Sequence, residues 1–284
     1  MKKRMFLRFF SLCITHLFLQ SCISNPFGGD EITGGNRAIT GEVSLFDGSN
    51  PEGVYIWLEG MNLGTDTNAD GSFQLALPSD INQNSTSQTN GVLKLFFYLA
   101  NYGLSEKQVV IRDGEFVYNR GDVNKNGQLT PSLALKRFLH IKSDIFPAKV
   151  PTNFSGVIEA SVTLEAPEDS VTVVFPKGIG GFLGAVLLKK LDSHQVFIYE
   201  AVPGVESVES ILVGNASKTR GMGFGISQRP LPVGKYEVIP YLLVAHEAIP
   251  AGLLESLGRN VTDLTPTYLN IPFRRETAVL EVTN

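Results

Sequence analysis

Ala38-Ile39-Thr40-Gly41-Glu42-Val43-Ser44-Leu45 sets the rhythm of the chain. Ile39, Gly41, Val43 and Leu45 fall on one side, with Thr40, Glu42 and Ser44 on the other. This two-residue alternation predicts a half-buried β-strand. The turn cluster Asp47-Gly48-Ser49-Asn50-Pro51 follows. Beyond it, Val54, Ile56 and Leu58 share a face, with Tyr55 and Trp57 opposite. Thr65-Asp66-Thr67-Asn68-Ala69-Asp70-Gly71 reads as a second turn. Phe73, Leu75 and Leu77 then share a face, and Pro78 ends that strand.

The same rhythm runs outward from there. Leu93, Leu95, Phe97 and Leu99 alternate with Lys94, Phe96 and Tyr98, after a polar insert from Ser79 to Asn90. Short strands are expected over 108–111 and 116–118, and 134–141 is placed to close a first sandwich. Pro147 and Pro151 bracket Val150 and suggest a boundary near 145–155. The pattern restarts with Val162 and Leu164, then Val171, Val173 and Phe175. Further strands are expected over 185–191, 196–202, 207–213, 223–227, 235–244 and 277–283, with a short helix over 251–257. Turn residues separate them at intervals typical of a sandwich. The halves show no convincing internal repeat.

The first of these motifs resemble a known family. Ile39-Thr40-Gly41-Glu42-Val43, then Gly53-Val54-Tyr55-Ile56-Trp57-Leu58-Glu59-Gly60, then Thr65-Asp66-Thr67-Asn68-Ala69-Asp70-Gly71-Ser72-Phe73-Gln74-Leu75 is similar to a carboxypeptidase regulatory-like domain. That resemblance implies a transthyretin-like (prealbumin-like) β-sandwich with no catalytic residues of its own. The expected fold is therefore all-β. A transthyretin-like sandwich spans 38–148, and a second, Ig-like sandwich spans 149–284.

The N-terminus carries a different signal. Met1-Lys2-Lys3-Arg4 is basic, and Phe9 to Leu19 is mostly apolar. That run is too short for the roughly 20 residues that span a bilayer and has the form of a leader. Leu19-Gln20-Ser21-Cys22 resembles a bacterial lipobox, with Gln20 departing from the usual small or aliphatic residue. The resemblance implies a signal peptide over 1–21 and acylation of Cys22 by diacylglyceryl and often an amide-linked chain such as palmitate. Cleavage by an ordinary signal peptidase and retention as an uncleaved anchor are the alternatives. The cysteine count favours the lipobox. Besides Cys22 the chain has only Cys13, inside the leader, so the exported part would otherwise hold one odd thiol. Ile23 rather than Asp after the cysteine points to the outer membrane. Residues 22–37, rich in Gly and polar side chains, form a tether. From Ile23 to Asn36 it reaches about 45 Å when extended.

Of 24 basic side chains, Lys2, Lys3, Arg4 and Arg8 lie in the leader, which has none of the 28 acidic ones. The exported part is thus more acidic than the formal net charge of −4, with no basic patch, which argues against nucleic-acid binding. The sharpest chemical candidate is Asp122-Val123-Asn124-Lys125-Asn126-Gly127-Gln128. Asp122, Asn124, Asn126 and Gln128 fall at the alternating ligand positions of a calcium loop. Leu133 stands where the bidentate carboxylate belongs, and a polar hairpin turn is the alternative. Asp66, Asn68 and Asp70 share that spacing on the first hairpin.

His140, His194 and His246 lie far apart, without partners at metal spacing. Gly178-Ile179-Gly180-Gly181-Phe182-Leu183-Gly184 and Gly221-Met222-Gly223-Phe224-Gly225 miss dinucleotide spacing and read as turns or bulges. Trp57 and Tyr55 could stack on a sugar, although packing on the second face of the sandwich is favoured. No nucleophile elbow is present. The expectation is a non-enzymatic, lipid-anchored envelope protein that binds or braces a protein or glycan. A lipid-anchored or secreted enzyme with a site assembled from scattered loops is the alternative.

Overall fold

The structure, a computed structural model, describes residues 36–78, 90–246 and 249–284. The expected leader, Cys22 and nearly all of the expected tether lie outside the described residues, as does most of the polar insert. The first half forms β1 (Ala38–Leu45), β2 (Tyr55–Leu58), β3 (Leu63–Asp66), β4 (Ser72–Ala76), β5 (Gly91–Tyr98), β6 (Ser105–Arg112), β7 (Glu115–Phe116) and β8 (Leu133–Leu135). One sheet runs β4-β1-β8 and faces a second that runs β3-β2-β5-β6-β7. Ile39, Val43, Leu45, Phe73 and Leu75 meet Ile56, Leu58, Leu95, Phe97, Val109 and Ile111 between them. The alternation in the sequence is thus the inward face of each strand.

Two glycines of the opening motifs have physical reasons. A Cβ on Gly41 would lie 2.6 Å from the Phe73 ring, which crosses the strand at that point. Gly71 has φ +83°, and a Cβ there would meet the Val43 carbonyl oxygen at 2.1 Å.

The second half forms β9 (His140–Phe146), β10 (Lys149–Pro151), β11 (Ile158–Glu165), β12 (Val171–Pro176), β13 (Ala185–Lys190), β14 (Val196–Glu200), β15 (Val208–Val213), β16 (Lys218–Phe224), β17 (Gly234–Pro240), β18 (Leu243–Val244), α1 (Ala251–Leu257) and β19 (Ala278–Thr283). Its sheets run β10-β19-β17-β13-β14, β16-β11-β9 and β15-β12-β18. Val186, Leu188, Tyr236, Val238 and Leu280 of the five-stranded sheet pack against Ile158, Val162, Val173, Phe175 and Met222. The protein is all-β, built as stacked sandwiches. Among the described residues no helix is long and apolar enough to cross a membrane.

Hydrogen bonding changes partner earlier than the expected division at residues 148 and 149. Leu133–Leu135 pairs with β1, but His140–Phe146 pairs with Glu159–Glu165. The expected closure of the first sandwich by 134–141 therefore stops at Leu135. Pro151 is no linker residue either. It ends β10, an edge strand parallel to β19, where a missing N–H is tolerated.

A third core joins the halves. The outer faces of β2 and β5 supply Trp57, Phe96 and Tyr98, and the outer face of the five-stranded sheet supplies Ala185, Leu187 and Ile239, with Tyr241 just past the end of β17. Leu253 of α1 and Tyr268 of a 3-10 turn (Pro266–Asn270) fill the space between. This explains why Ala185–Leu188 is apolar without alternation: both faces of β13 are buried.

Polar groups close the junction beside that core. Tyr102 Oη donates to Asp47 Oδ2 at 2.7 Å, and Arg137 Nε approaches the same oxygen at 2.8 Å. Arg137 Nη2 donates to Ser49 Oγ at 2.8 Å.

Candidate functional site

The outer face of β16-β11-β9 carries a groove of about 440 Å³. Its floor follows from strand register. Phe146, Glu159 and Gly223 stand in one cross-strand row, and Asp144, Ser161 and Gly221 in the next. Side chains alternate across a strand, so both rows point outward. On β16 the outward positions in these two rows are Gly221 and Gly223, which leaves backbone where side chains would otherwise fill the space. A Cβ on Gly223 would come within 2.8 Å of Val157 Cγ1.

Two aromatic rings rim this floor. Phe146, the last residue of β9, is 74% exposed, and Phe182, in the loop between β12 and β13, is 57% exposed. The loop is pinned from below. Gly181 N–H donates to Glu209 Oε2 at 3.2 Å, and Arg220 binds the same carboxylate. The Arg220 hydrogen bond holds the Glu209 carboxyl below the usual range. The Arg220 guanidinium also stacks 5.0 Å from the Phe175 ring centroid. Rings of this kind beside the Asp144 and Glu159 carboxylates and the Ser161 and Thr219 hydroxyls suit an amphipathic ligand with flat apolar faces and polar edges.

Both glycine-rich stretches are structural. Gly180 and Gly181 adopt φ +60° and +85° in the turn that carries Phe182, and Gly184 packs where a Cβ would strike the Lys177 carbonyl carbon at 2.1 Å. Gly221 and Gly223 are the groove floor. Neither Phe146 nor Phe182 was legible in advance, because each is a lone aromatic until register brings β9 and the loop to one face.

A second groove, about 490 Å³, lies over β4-β1-β8 and is lined by Thr40, Glu42, Asn68, Gln74 and Gln128. It brings together the two turns with calcium-like spacing. Three of the candidate side chains, Asp122, Asn124 and Asp70, already accept hydrogen bonds from backbone N–H groups. Asp122 Oδ2 accepts from Gln108 N–H at 2.7 Å, with Lys107 Nζ 3.9 Å from Oδ1. Asn124 Oδ1 accepts from Asn126 N–H at 2.8 Å and Gln128 N–H at 3.1 Å. Asp70 Oδ1 accepts from Ser72 N–H at 2.9 Å. Asp122 thus binds the neighbouring strand β6, while Asn124 and Asp70 form self-bonded turns of the kind Asp and Asn form without metal.

Millimolar calcium, enough to load a weak extracellular site, is therefore expected to leave the melting temperature unchanged. Asn124→Ala should cost about 1 kcal/mol through the two lost bonds. A calcium-dependent rise in melting temperature that Asn124→Ala abolishes would show that Asp122, Asn124, Asn126 and Gln128 are ligands after all.

The histidines stay apart. His140 Nδ1 lies 3.4 Å from Arg137 Nη1, His194 sits in a turn with φ 58°, and His246 Nε2 lies 2.8 Å from the Ala100 carbonyl oxygen. Burial pushes the His246 pKa down, toward the neutral ring that fits between Phe138 and Tyr98. Among the described residues no three His, Cys, Asp or Glu side chains gather as metal ligands. Trp57 is 4% exposed, and Tyr55 Oη bonds Ser256 Oγ of α1 at 2.8 Å, so both belong to the shared core and not to a sugar platform.

The fold and groove define a class: an all-β protein of stacked sandwiches with an aromatic-rimmed outer sheet. No family model and no curated protein matches the sequence. Solved structures similar to it include the major pilin subunit of Bacillus cereus, at 14% identity and TM-score 0.24, over 72% of this chain and 64% of that one. A streptococcal ancillary pilin matches at 12% identity and TM-score 0.24, over 75% and 59%. The TIE protein of Bacillus anthracis matches at 11% and 0.23, over 75% and 48%. The chain therefore spans about half to two-thirds of the length of these proteins.

Proposed function

We propose that this chain is a lipid-anchored, non-catalytic module of the bacterial cell envelope that binds or braces a protein or glycan partner. The observation that carries this is Leu19-Gln20-Ser21-Cys22, followed by a Gly-rich tether and then by a β body that begins at Ala38. A single myristoyl-length chain binds membranes only marginally, and two or more anchor stably. The diacylglyceryl group implied at Cys22 is of the second kind. Ile23 after the cysteine supports the outer membrane as destination. The first sandwich is read as a carboxypeptidase regulatory-like domain, supported by the roles of Gly41 and Gly71 at the positions of its motif. The groove between Phe146 and Phe182 is the surface offered to a partner.

The test is intact mass and membrane fractionation, wild type beside Cys22→Ala. Wild type is expected in the membrane fraction, starting at Cys22 with an acyl mass increment, and the variant without either. If both are soluble and begin at another residue, the anchor is lost and the protein is a secreted sandwich with a free thiol.

A further inference from the structure

β15 is the open edge of the sheet β15-β12-β18. Lys177 N–H donates to the Ser207 carbonyl at 2.6 Å, one step past the Pro176–Val208 pair. Backbone groups alternate sides along a strand. Glu209, Ile211 and Val213 therefore turn their N–H and C=O toward β12, and Val208, Ser210 and Leu212 turn theirs toward the open edge. The side chains of those same three residues point outward. Val208 is 69% and Leu212 58% exposed, with Ser210 exposed between them.

Sheet edges are ordinarily guarded by charge, proline, glycine or a cap. Here β10 carries Lys149 and Pro151, and the Ile198 carbonyl of edge strand β14 accepts from Arg229 Nη1 at 3.1 Å. β16 carries two glycines, and its Gly221 carbonyl accepts from Leu183 N–H at 3.0 Å. Among the described residues, Val208-Glu209-Ser210-Ile211-Leu212-Val213 has no proline, no glycine and no cap on its open edge. Its one charge, Glu209, is turned to Arg220.

The geometry points to a second copy of this chain as the occupant of that edge, with β15 pairing antiparallel to β15 about a two-fold axis through Ser210. The strand is self-complementary in this register. Val208 opposes the second copy's Leu212, Ser210 opposes its equivalent, and Leu212 opposes the second copy's Val208. On the other face Glu209 opposes Ile211, so no like charges meet. The three outward-turned residues supply about six backbone hydrogen bonds, since each such pair exchanges two. Two equivalent apolar pairs close over them, which is the isologous arrangement a two-fold interface requires. Half-buried Val174 and Leu243 continue the apolar face across the sheet.

The described residues begin at Asn36 and the first strand at Ala38, so the leaderless chain from residue 22 with Cys22→Ser keeps the β body whole. In sedimentation equilibrium up to about 100 µM this chain is expected to form dimers, a range that covers dissociation constants near 10 µM. Leu212→Lys and Ser210→Pro should each weaken dimerisation at least about tenfold, equivalent to about 1.4 kcal/mol. Ser210→Pro removes an N–H that faces the edge and leaves the bonds to β12 in place.

A chain that is monomeric throughout overturns the proposal, as does a dimer that Leu212→Lys leaves intact. Should either variant fail to fold, Ser210→Cys decides. Hydrogen-bonded partners across a strand pair sit about 5.5 Å apart at Cα, within disulfide range. Oxidation should link Ser210→Cys into a covalent dimer and leave the control Glu165→Cys monomeric. Equal linkage, or none, counts against the interface.

Discussion

Asn101→Ala is expected to destabilise the protein by about 3–5 kcal/mol, because several buried backbone groups lose their partners at about 1–3 kcal/mol each. Asn101 is fully buried. Its Nδ2 donates to the Leu139 carbonyl at 2.9 Å and to the Arg274 carbonyl at 2.8 Å, and its Oδ1 accepts from Arg274 N–H at 3.0 Å. These partners lie on the link into β9 and the approach to β19, while Asn101 follows β5. One side chain therefore ties the first sandwich to two separate segments of the second. Asn101→Asp should be no better, since a carboxylate would face two carbonyl oxygens.

Trp57, the single tryptophan, sits in the shared core and reports on the junction directly. Urea unfolding of Asn101→Ala should show the fluorescence change ahead of the loss of far-UV dichroism, where wild type shows both together. A loss below about 1 kcal/mol would mean that solvent or a backbone shift satisfies the freed groups.

Strands such as β1 and β11 were legible in the sequence because they have a core on one side only. Ile39, Val43 and Leu45 alternate with polar residues, and so do Val162 and Leu164, since each strand has one wet face. The order of partners was less so. Pro147 and Pro151 looked like punctuation between domains, yet the chain had already crossed to the second sandwich at β9. Pairing between Ser143 and Val162 is a long-range fact that no local pattern encodes. The groove was hidden for the same reason: Gly221, Gly223, Phe146 and Phe182 come from three segments and carry no shared spacing. Asn101 gave no signal, because a lone Asn after a strand reads as a turn. The Asp122 loop was ambiguous in the sequence, since the residue types that ligate calcium are also those that close hairpins on themselves.

Trp57→Ala is expected to cost about 3–5 kcal/mol, the range for emptying an aromatic site in a core. The ring is 4% exposed and lies 5.9 Å from Phe96, centroid to centroid. Its outer edge meets α1 at Gly252, where a Cβ would fall 3.0 Å from Cζ2 and 3.1 Å from Cη2. The helix thus rests with its backbone against the indole. At seven residues, with no side-chain cap at its start, α1 lacks the length to be stable alone and depends on this packing. Without the indole, the cavity and the loosened helix should expose Leu187 and Ile239 of the middle sheet. Hydrogen exchange over 251–257 should then quicken well beyond the change in strands of the outer sheets. Trp57→Phe should keep most of the stability, since Phe still fills the apolar part of the site. Gly252→Ala tests the contact from the other side. The gain in helix propensity, about 1 kcal/mol, is expected to be cancelled by the tight approach to the ring, leaving little net change. If Trp57→Ala instead costs under about 1.5 kcal/mol and α1 keeps its protection, the shared core is not what joins the sandwiches, and the polar junction around Asn101 must carry that role alone.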